Sequence, residues 1–132
     1  MSLRCFIQTQ APVPGSGAQP VHYPACEWVG DDGTVDHLHP LNRFVCSWLT
    51  SDLNTVARCQ EVLDAIAQIQ AGQCAQWFAD GDAFCVDFSA SGVQFNQSHI
   101  GPDDGTYWNQ LEGRLTSAQV HDAVFKWKFF LK

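Results

Sequence analysis

Positive charge is scarce in this sequence, which has seven lysines and arginines against fourteen aspartates and glutamates among its 132 residues. The formal net charge is −7 at pH 7. An acidic surface is repelled by phosphate backbones and by anionic lipids. We therefore expect neither a nucleic acid nor a membrane as a partner.

Long apolar runs are also missing. No stretch approaches the ~20 residues that a membrane-spanning helix needs. The N-terminus lacks the basic segment and following apolar segment of a secretory signal, so we expect a cytoplasmic protein. Hydrophobic residues still make up 45% of the chain, which is enough for one core in a single domain covering residues 1–132.

Sequence motifs for cofactors are absent as well. The segment Pro14–Gly17 lacks the lysine and the following helix of a phosphate-binding loop, and no two cysteines have CxxC spacing. The six cysteines are an even number, but a chain of this size can form a core without disulfides. We expect six reduced thiols and no cofactor.

The acidic residues are concentrated in the body of the chain. From Glu27 to Glu112 there are thirteen acidic and two basic residues, a balance of −11, whereas the segment from Arg114 to the end has a balance of +3. An acidic segment of this kind would attract a basic protein partner. The alternative interpretation is that the acidic surface only keeps the protein soluble.

The stretch Gln73–Gln97 predicts a three-stranded antiparallel meander. Asp80-Gly81 is a hairpin signal between apolar runs, and Ser91-Gly92 marks a second turn. Between these turns apolar and polar residues alternate from Phe84 to Phe88, as in a strand with one buried face.

Two helices flank the meander. Ser51 and Asp52 are both good helix caps, and the apolar stripe after them predicts a helix that runs to Ala71. At the end of the chain, Thr116 and Gln119 form a capping-box pattern ahead of a run with helical spacing.

Further short strands are predicted in the remaining segments: Arg4–Gln8, Val21–Val29, Thr34–His39, Arg43–Leu49 and Thr106–Leu111. Together these elements predict an α+β fold. We expect one antiparallel sheet of about five to six strands, with two main helices packed on one face.

A metal site is one chemical alternative. Cys26, His37 and His39 lie in the first third of the chain, and a His-x-His pair on a strand directs both rings to one face, as a zinc site requires. Structural zinc normally uses two tightly spaced ligand pairs, and here there is only one. A solvent-facing histidine pair is the competing interpretation.

Other catalytic groups lack a diagnostic pattern. A small cysteine hydrolase would need a histidine beside an activated thiol, but no signature surrounds any of the six cysteines. The acidic pairs Asp31-Asp32, Asp80 with Asp82, and Asp103-Asp104 adjoin glycines, where aspartates usually bond their own backbone. A small-molecule-binding domain stays open as a further alternative.

Tryptophan is abundant, with five in the chain. Beside an acidic loop, exposed Tyr107 and Trp108 would serve as anchors for a partner while Asp103 and Asp104 steer a basic protein toward them. These four residues are the predicted interface. The competing interpretation is that all five tryptophans are buried.

From Gly72 onward, the layout resembles the YacL-type family of small bacterial proteins. The resemblance rests on Gly72, Trp77, Asp80-Gly81-Asp82, Val86 and Phe95, and the aromatic-rich closing segment Val120 to Leu131. It covers under half the chain. The family supplies no activity that can be transferred, so the resemblance implies a bacterial protein without assigning catalytic residues.

A small acidic sheet-plus-helix protein without a catalytic motif also resembles bacterial immunity proteins that bind toxins. This resemblance is one of general character and not of sequence. Our hypothesis from the sequence is therefore a protein-binding module of the immunity or inhibitor kind, whose acidic surface covers a basic protein. An enzyme is the less favoured interpretation, and the sequence gives no oligomeric state.

Overall fold

The computed structural model describes the whole chain, residues 1–132. Strands β1 (Ser2–Gln10) and β2 (Val21–Val29) come first, followed by a π-helical turn (Leu41–Cys46) that continues into helix α1 (Ser47–Ser51). Helix α2 (Val56–Gln70) leads to strands β3 (Gln76–Asp80), β4 (Phe84–Ser89) and β5 (Gly92–Gln97). A 3-10 turn (Leu111–Gly113), strand β6 (Arg114–Leu115) and helix α3 (Ser117–Leu131) complete the chain.

The strands form two separate antiparallel sheets. One contains only β1 and β2, paired from Ser2 opposite Val29 to Gln10 opposite Val21. The other has the order β3-β4-β5-β6. The α+β class predicted from the sequence is confirmed, but the prediction of one sheet of five to six strands is wrong.

The inner face of the four-stranded sheet is apolar because alternate residues of β4 and β5 are buried. Val86 lies opposite Phe95, and Phe88 lies opposite Val93. Helix α2 packs on β3 and β4, and α3 packs on α2 and β5. Trp48 of α1 also reaches this face, with its ring centroid 5.2 Å from that of Phe95.

The two-stranded sheet lies against the helical layer rather than beside the larger sheet. Strand β2 contacts the π-helical turn and α1, and β1 contacts α3. Buried Asn42 fixes this packing, since its amide accepts a hydrogen bond from the Trp28 N–H at 2.6 Å and donates one to the Trp28 carbonyl at 3.0 Å. One core cluster therefore joins both sheets.

Three predicted strands are absent. Residues 34–36 have no regular structure and residues 37–39 form a turn, and the only strand that pairs with β2 is β1, across the 11–20 loop. Residues 43–49 are helical. Residues 106–111 are a loop ending in the 3-10 turn, and the fourth strand of the larger sheet is Arg114–Leu115 instead.

The predicted helices are present, with one change of boundary. The Thr116–Gln119 capping box at the start of α3 is confirmed. Helix α2, however, begins after Thr55, whose side chain accepts from the Arg58 N–H at 3.2 Å. No helix combines the length and the apolar character that a membrane span requires.

Candidate interaction surface

A cleft of about 340 Å³ opens between strand β3 and the α1–α2 region. We call it the β3–α2 cleft. The helical side contributes Trp48, Asp52, Leu53, Arg58, Glu61 and Val62, and the strand side contributes Trp77 to Gly81. Buried apolar side chains form its floor, while charged side chains stand at its rim.

Asp52 holds one end of the cleft together. Its side chain is buried, with 3% exposure, and its carboxylate accepts hydrogen bonds from the backbone N–H groups of Ala83 at 3.1 Å and Phe84 at 3.0 Å. Hydrogen bonds to a charged acceptor are among the stronger ones in proteins. Asp52 thus fastens the β3–β4 turn to the end of α1, and both carboxylate oxygens are used in doing so.

Gly81 allows this close approach. A Cβ atom added at Gly81 would lie 2.4 Å from Oδ2 of Asp52 and 2.9 Å from its Cβ. Any larger residue would therefore push the carboxylate away from the turn. The Asp80-Gly81 pair, recognised in the sequence as a hairpin signal, serves here as a packing site for a buried carboxylate.

The rim of the cleft is acidic. Its exposed charged side chains are the carboxylates of Glu61 and Asp80 and a single basic group, that of Arg58. Arg58 donates to the backbone carbonyl of Asp52 at 3.2 Å, so part of its hydrogen-bonding capacity is directed into the protein. Glu61 and Asp80 are exposed and form no ion pair within the chain, although the Asp80 carboxylate lies within hydrogen-bonding reach of the Cys85 thiol.

An exposed aromatic residue lies beside this rim. The Phe78 side chain is 58% exposed on the outer edge strand, while neighbouring Trp77 is half-buried and packs on Phe88 with ring centroids 5.5 Å apart. Asp87 lies opposite Phe78 in the sheet and accepts from Gln76 at 2.9 and 3.0 Å. An aromatic group is thus bordered by acidic groups on both sides.

In the loop that contains the interface predicted from the sequence, not all of the four side chains are available to a partner. Asp104 is used inside the loop, since its carboxylate accepts from the N–H groups of Thr106 at 3.0 Å and Tyr107 at 2.9 Å. Asp103 is exposed, Tyr107 is 57% exposed, and Trp108 is half-buried. The four predicted residues are therefore close in the chain, but only two of them offer a free side chain.

The end of this loop is anchored to the sheet. Buried Asn96 accepts from the Asn109 N–H at 2.7 Å and donates to the Asn109 side chain at 3.1 Å. Asn109 has a positive φ of 57°, a left-handed conformation that asparagine tolerates better than most residues. The loop thus has a fixed attachment to β5 close to the outer face of the sheet.

The proposed metal ligands are not assembled. No group of three or more histidine, cysteine or acidic side chains in residues 1–132 is arranged to hold a metal ion. Cys26 and His37 line a second cleft of about 590 Å³, but His39 does not, and its Nδ1 accepts from the Leu41 N–H at 3.1 Å. The alternative site at Cys26, His37 and His39 therefore lacks the geometry it needs.

The pKa shifts of Cys5, Cys26, Cys59 and Cys85 disfavour a nucleophilic thiolate at these four positions. All six cysteines are free, and burial raises the pKa of Cys5 and of Cys59 to about 11. The neighbouring Cys46, together with burial, raises the pKa of Cys26 far above its usual range, and burial and Asp80 raise that of Cys85. A catalytic cysteine requires the opposite shift. The β3–α2 cleft contains neither cysteine nor histidine.

The structure shows which of the five tryptophans are buried. Trp28, Trp48 and Trp127 are buried in the core, while Trp77 and Trp108 are half-buried. The sequence analysis overlooked Phe78 and Glu61 as surface groups. Phe78 had a detectable signal, because a large apolar residue on the polar-facing side of a predicted strand is an exception to the alternation.

Comparisons of the chain with protein-family models, with curated proteins and with solved structures found no match. The resemblance to the YacL-type family stays a prediction.

Proposed function

We propose that this protein is a protein-binding module that uses the β3–α2 cleft to bind a basic protein. The observation that carries the proposal is the exposed side chain of Phe78 beside a cleft with an acidic rim. Aromatic residues are enriched at protein interfaces, and charged rims steer the approach of a partner of opposite sign.

The charge pattern supports a partner rather than a reaction. Asp52 is the buried carboxylate of the cleft, and both of its oxygens already accept backbone hydrogen bonds. Glu61 and Asp80, in contrast, are exposed and form no ion pair within the chain, so both can pair with basic side chains of a partner. Exposed charges at a rim mainly accelerate association and make binding dependent on salt.

The proposal includes an immunity or inhibitor role, in which the acidic surface covers the basic active surface of another protein. It also includes a cytoplasmic location, for which the six free thiols give support, because free cysteines persist in a reducing compartment.

The test is affinity capture from a cell lysate at low and at high salt, carried out in parallel with three forms of the chain. The wild type is compared with the cleft variant Glu61→Lys/Asp80→Lys and with the control Asp31→Lys/Asp122→Lys. The control makes the same change in net charge at exposed positions that do not line the cleft.

We expect one basic protein to be retained by the wild type and by the control, to be released at high salt, and to be lost from the cleft variant. With the purified partner, the cleft variant should bind about tenfold or more weakly, mainly through slower association. Equal binding by all three forms, or an empty eluate at both salt concentrations, would count against the proposal.

The loop variant Asp103→Lys tests the interface that was predicted from the sequence. Asp103 is exposed, whereas Asp104 must stay because it accepts two backbone hydrogen bonds in the loop. If the loop takes part in steering, Asp103→Lys should slow association at low salt. Unchanged association kinetics would confine the binding surface to the β3–α2 cleft.

A further inference from the structure

The free edge of β3 has main-chain groups that face no other strand. In antiparallel pairs, successive residues alternate between bonding the neighbouring strand and pointing away from it. Gly81 donates its N–H to the carbonyl of Phe84 at 2.9 Å, which sets the alternation. Ala79 therefore faces β4, and the N–H and C=O groups of Phe78 and Asp80 face outward.

Nothing within the chain occupies these outward groups. No loop backbone group and no side chain in residues 1–132 hydrogen-bonds the main chain of Phe78 or Asp80. Gln76 differs, because its carbonyl accepts from Sγ of Cys74 at 3.0 Å. At the opposite edge of the sheet, β6 has only two residues, Arg114 and Leu115.

The edge of β3 also lacks most of the features that block strand pairing. Natural edge strands are commonly protected by proline, bulges, lysines or a covering element. Strand β3 reads Gln-Trp-Phe-Ala-Asp and pairs with β4 in an unbroken register from Gln76 opposite Ser89 to Asp80 opposite Cys85. Its central residue, Phe78, is 58% exposed.

We propose that an extended basic segment of the partner protein adds to the free edge of β3 as a further antiparallel or parallel strand. This inference rests on the proposed function and specifies how the partner binds. Main-chain hydrogen bonds to Phe78 and Asp80 would supply the contact, as in other cases of strand addition.

The two faces of the added strand would meet different surroundings. On the inner side lies the β3–α2 cleft, with Trp48 and Val62 buried at its floor. On the outer side lie Phe78, Asp80 and Asp87, because alternate residues of a strand share a face and cross-strand partners do so too. The partner segment should therefore alternate apolar residues facing inward with lysine or arginine facing outward.

The experiment measures amide hydrogen exchange by NMR on the full chain, with and without a blocked peptide of alternating lysine and valine that matches β3 in length. The N–H groups of Phe78 and Asp80 should exchange at least about tenfold more slowly when the peptide is bound, because they face outward and gain hydrogen bonds to the peptide. Those of Trp77 and Ala79, already bonded to β4, should change little.

Two peptides serve as controls. The first carries N-methyl groups on two consecutive central residues, which removes a donor from each edge without changing the charge, and it should not protect Phe78 or Asp80. The second replaces lysine by glutamate and should not bind. Both controls leave the protein unaltered, so a loss of effect cannot arise from misfolding.

The variant Phe78→Pro tests the same contact from the protein side and is compared with Phe78→Ala, which loses the same ring but keeps the N–H. Proline removes a donor that faces outward, a position in which edge strands tolerate it. Peptide binding should fall about tenfold or more, while the circular dichroism spectrum stays that of the wild type. If this variant does not fold, the N-methylated peptide decides the question.

Each outcome separates the two proposals. If the lysine–valine peptide binds but leaves the exchange of Phe78 and Asp80 unchanged, strand addition is wrong and binding of a basic partner still stands. No binding at about 1 mM peptide and low salt would also overturn strand addition, with capture of the basic protein remaining the test of function. Protection that rises with protein concentration alone would identify a second copy of the chain as the added strand.

Discussion

Removal of the Asp52 carboxylate tests the contact that fastens the β3–β4 turn to the end of α1. The side chain is 3% exposed and accepts hydrogen bonds from the N–H groups of Ala83 and Phe84 at 3.1 and 3.0 Å. Asp52→Ala removes both acceptors. It leaves the N–H of Phe84, a buried residue, without a partner, whereas half-buried Ala83 can bond water.

The size of the effect follows from these two bonds. A hydrogen bond to a charged group contributes about 1.5–3 kcal/mol, and an unsatisfied buried donor costs about 1–3 kcal/mol. The desolvation cost of burying the carboxylate disappears in the variant and offsets part of the loss. We expect Asp52→Ala to lower the free energy of unfolding by about 3 kcal/mol, equivalent to a Tm roughly 10 °C lower.

Urea unfolding followed by tryptophan fluorescence and by circular dichroism measures this difference. The matched control is Asp64→Ala, which removes an exposed carboxylate from α2 whose side chain accepts one bond, from Gln60 at 2.7 Å. The control should change stability by no more than about 0.5 kcal/mol. If Asp52→Ala costs no more than Asp64→Ala, the carboxylate does not fasten the hairpin and our reasoning about this end of the cleft is wrong.

Gly81 gives an independent check on the same contact. Gly81→Ala places a Cβ 2.4 Å from Oδ2 of Asp52, so it should cost about 1–3 kcal/mol by overpacking. In the Asp52→Ala background the penalty should shrink but persist, because the Cβ at position 52 stays 2.9 Å away. Strictly additive effects in the double-mutant cycle would contradict a direct contact between the two residues.

Three further predictions concern stability. Trp127→Phe removes the Nε1–H bond to the buried Leu53 carbonyl, 2.7 Å long, and should lower the free energy of unfolding by about 1–3 kcal/mol in urea melts, whereas an unchanged midpoint would contradict that contact. Burial raises the pKa of Cys59 from 9.0 to about 11, so the folded chain holds this proton more tightly than the unfolded chain. The stability that this thiol contributes should therefore be fully present below pH 9 and be lost as the pH rises through about 11. In melts recorded across that range, Cys59→Ala should remove this part of the pH dependence, while the part due to Cys5 persists. Asn96→Ala removes both hydrogen bonds to Asn109, and hydrogen exchange in the 98–110 loop should accelerate while exchange in the helices stays unchanged.

The best-predicted parts of the fold are those fixed by local patterns. The meander from Gln76 to Gln97 follows from two turn signals and alternating residues, and α3 follows from its capping box. Each of these elements contains its own boundary signal, so no knowledge of distant partners was needed.

The segment 41–49 shows why an alternating pattern can mislead. Phe44, Cys46 and Trp48 alternate with other residues, which predicts a strand. The buried set, however, also includes Val45 and Leu49, and together with Leu41 these residues recur at helical spacing. The tertiary contacts with Phe84 and Phe95, which are distant in sequence, favour the helix.

Asp52 illustrates why the candidate site was missed. In the sequence Asp52 stands where a helix N-cap is expected, and no neighbouring residue indicates that its carboxylate is buried. Its true partners, Ala83 and Phe84, lie more than thirty residues away. The acidic and aromatic character of the proposed interface could be predicted from composition, but its position on β3 and α2 depends on that long-range contact.

The most direct test of the central claim, that the β3–α2 cleft is the partner-binding surface, is NMR chemical-shift mapping. The isotopically labelled chain is titrated with the lysine–valine peptide at low salt, and the shifted amides are located on the structure. We expect shifts concentrated at Trp77–Gly81 and at residues 58–62, and we expect these shifts to be lost in Glu61→Lys/Asp80→Lys. Shifts concentrated at residues 101–110, or scattered over the surface without a cluster, would contradict it.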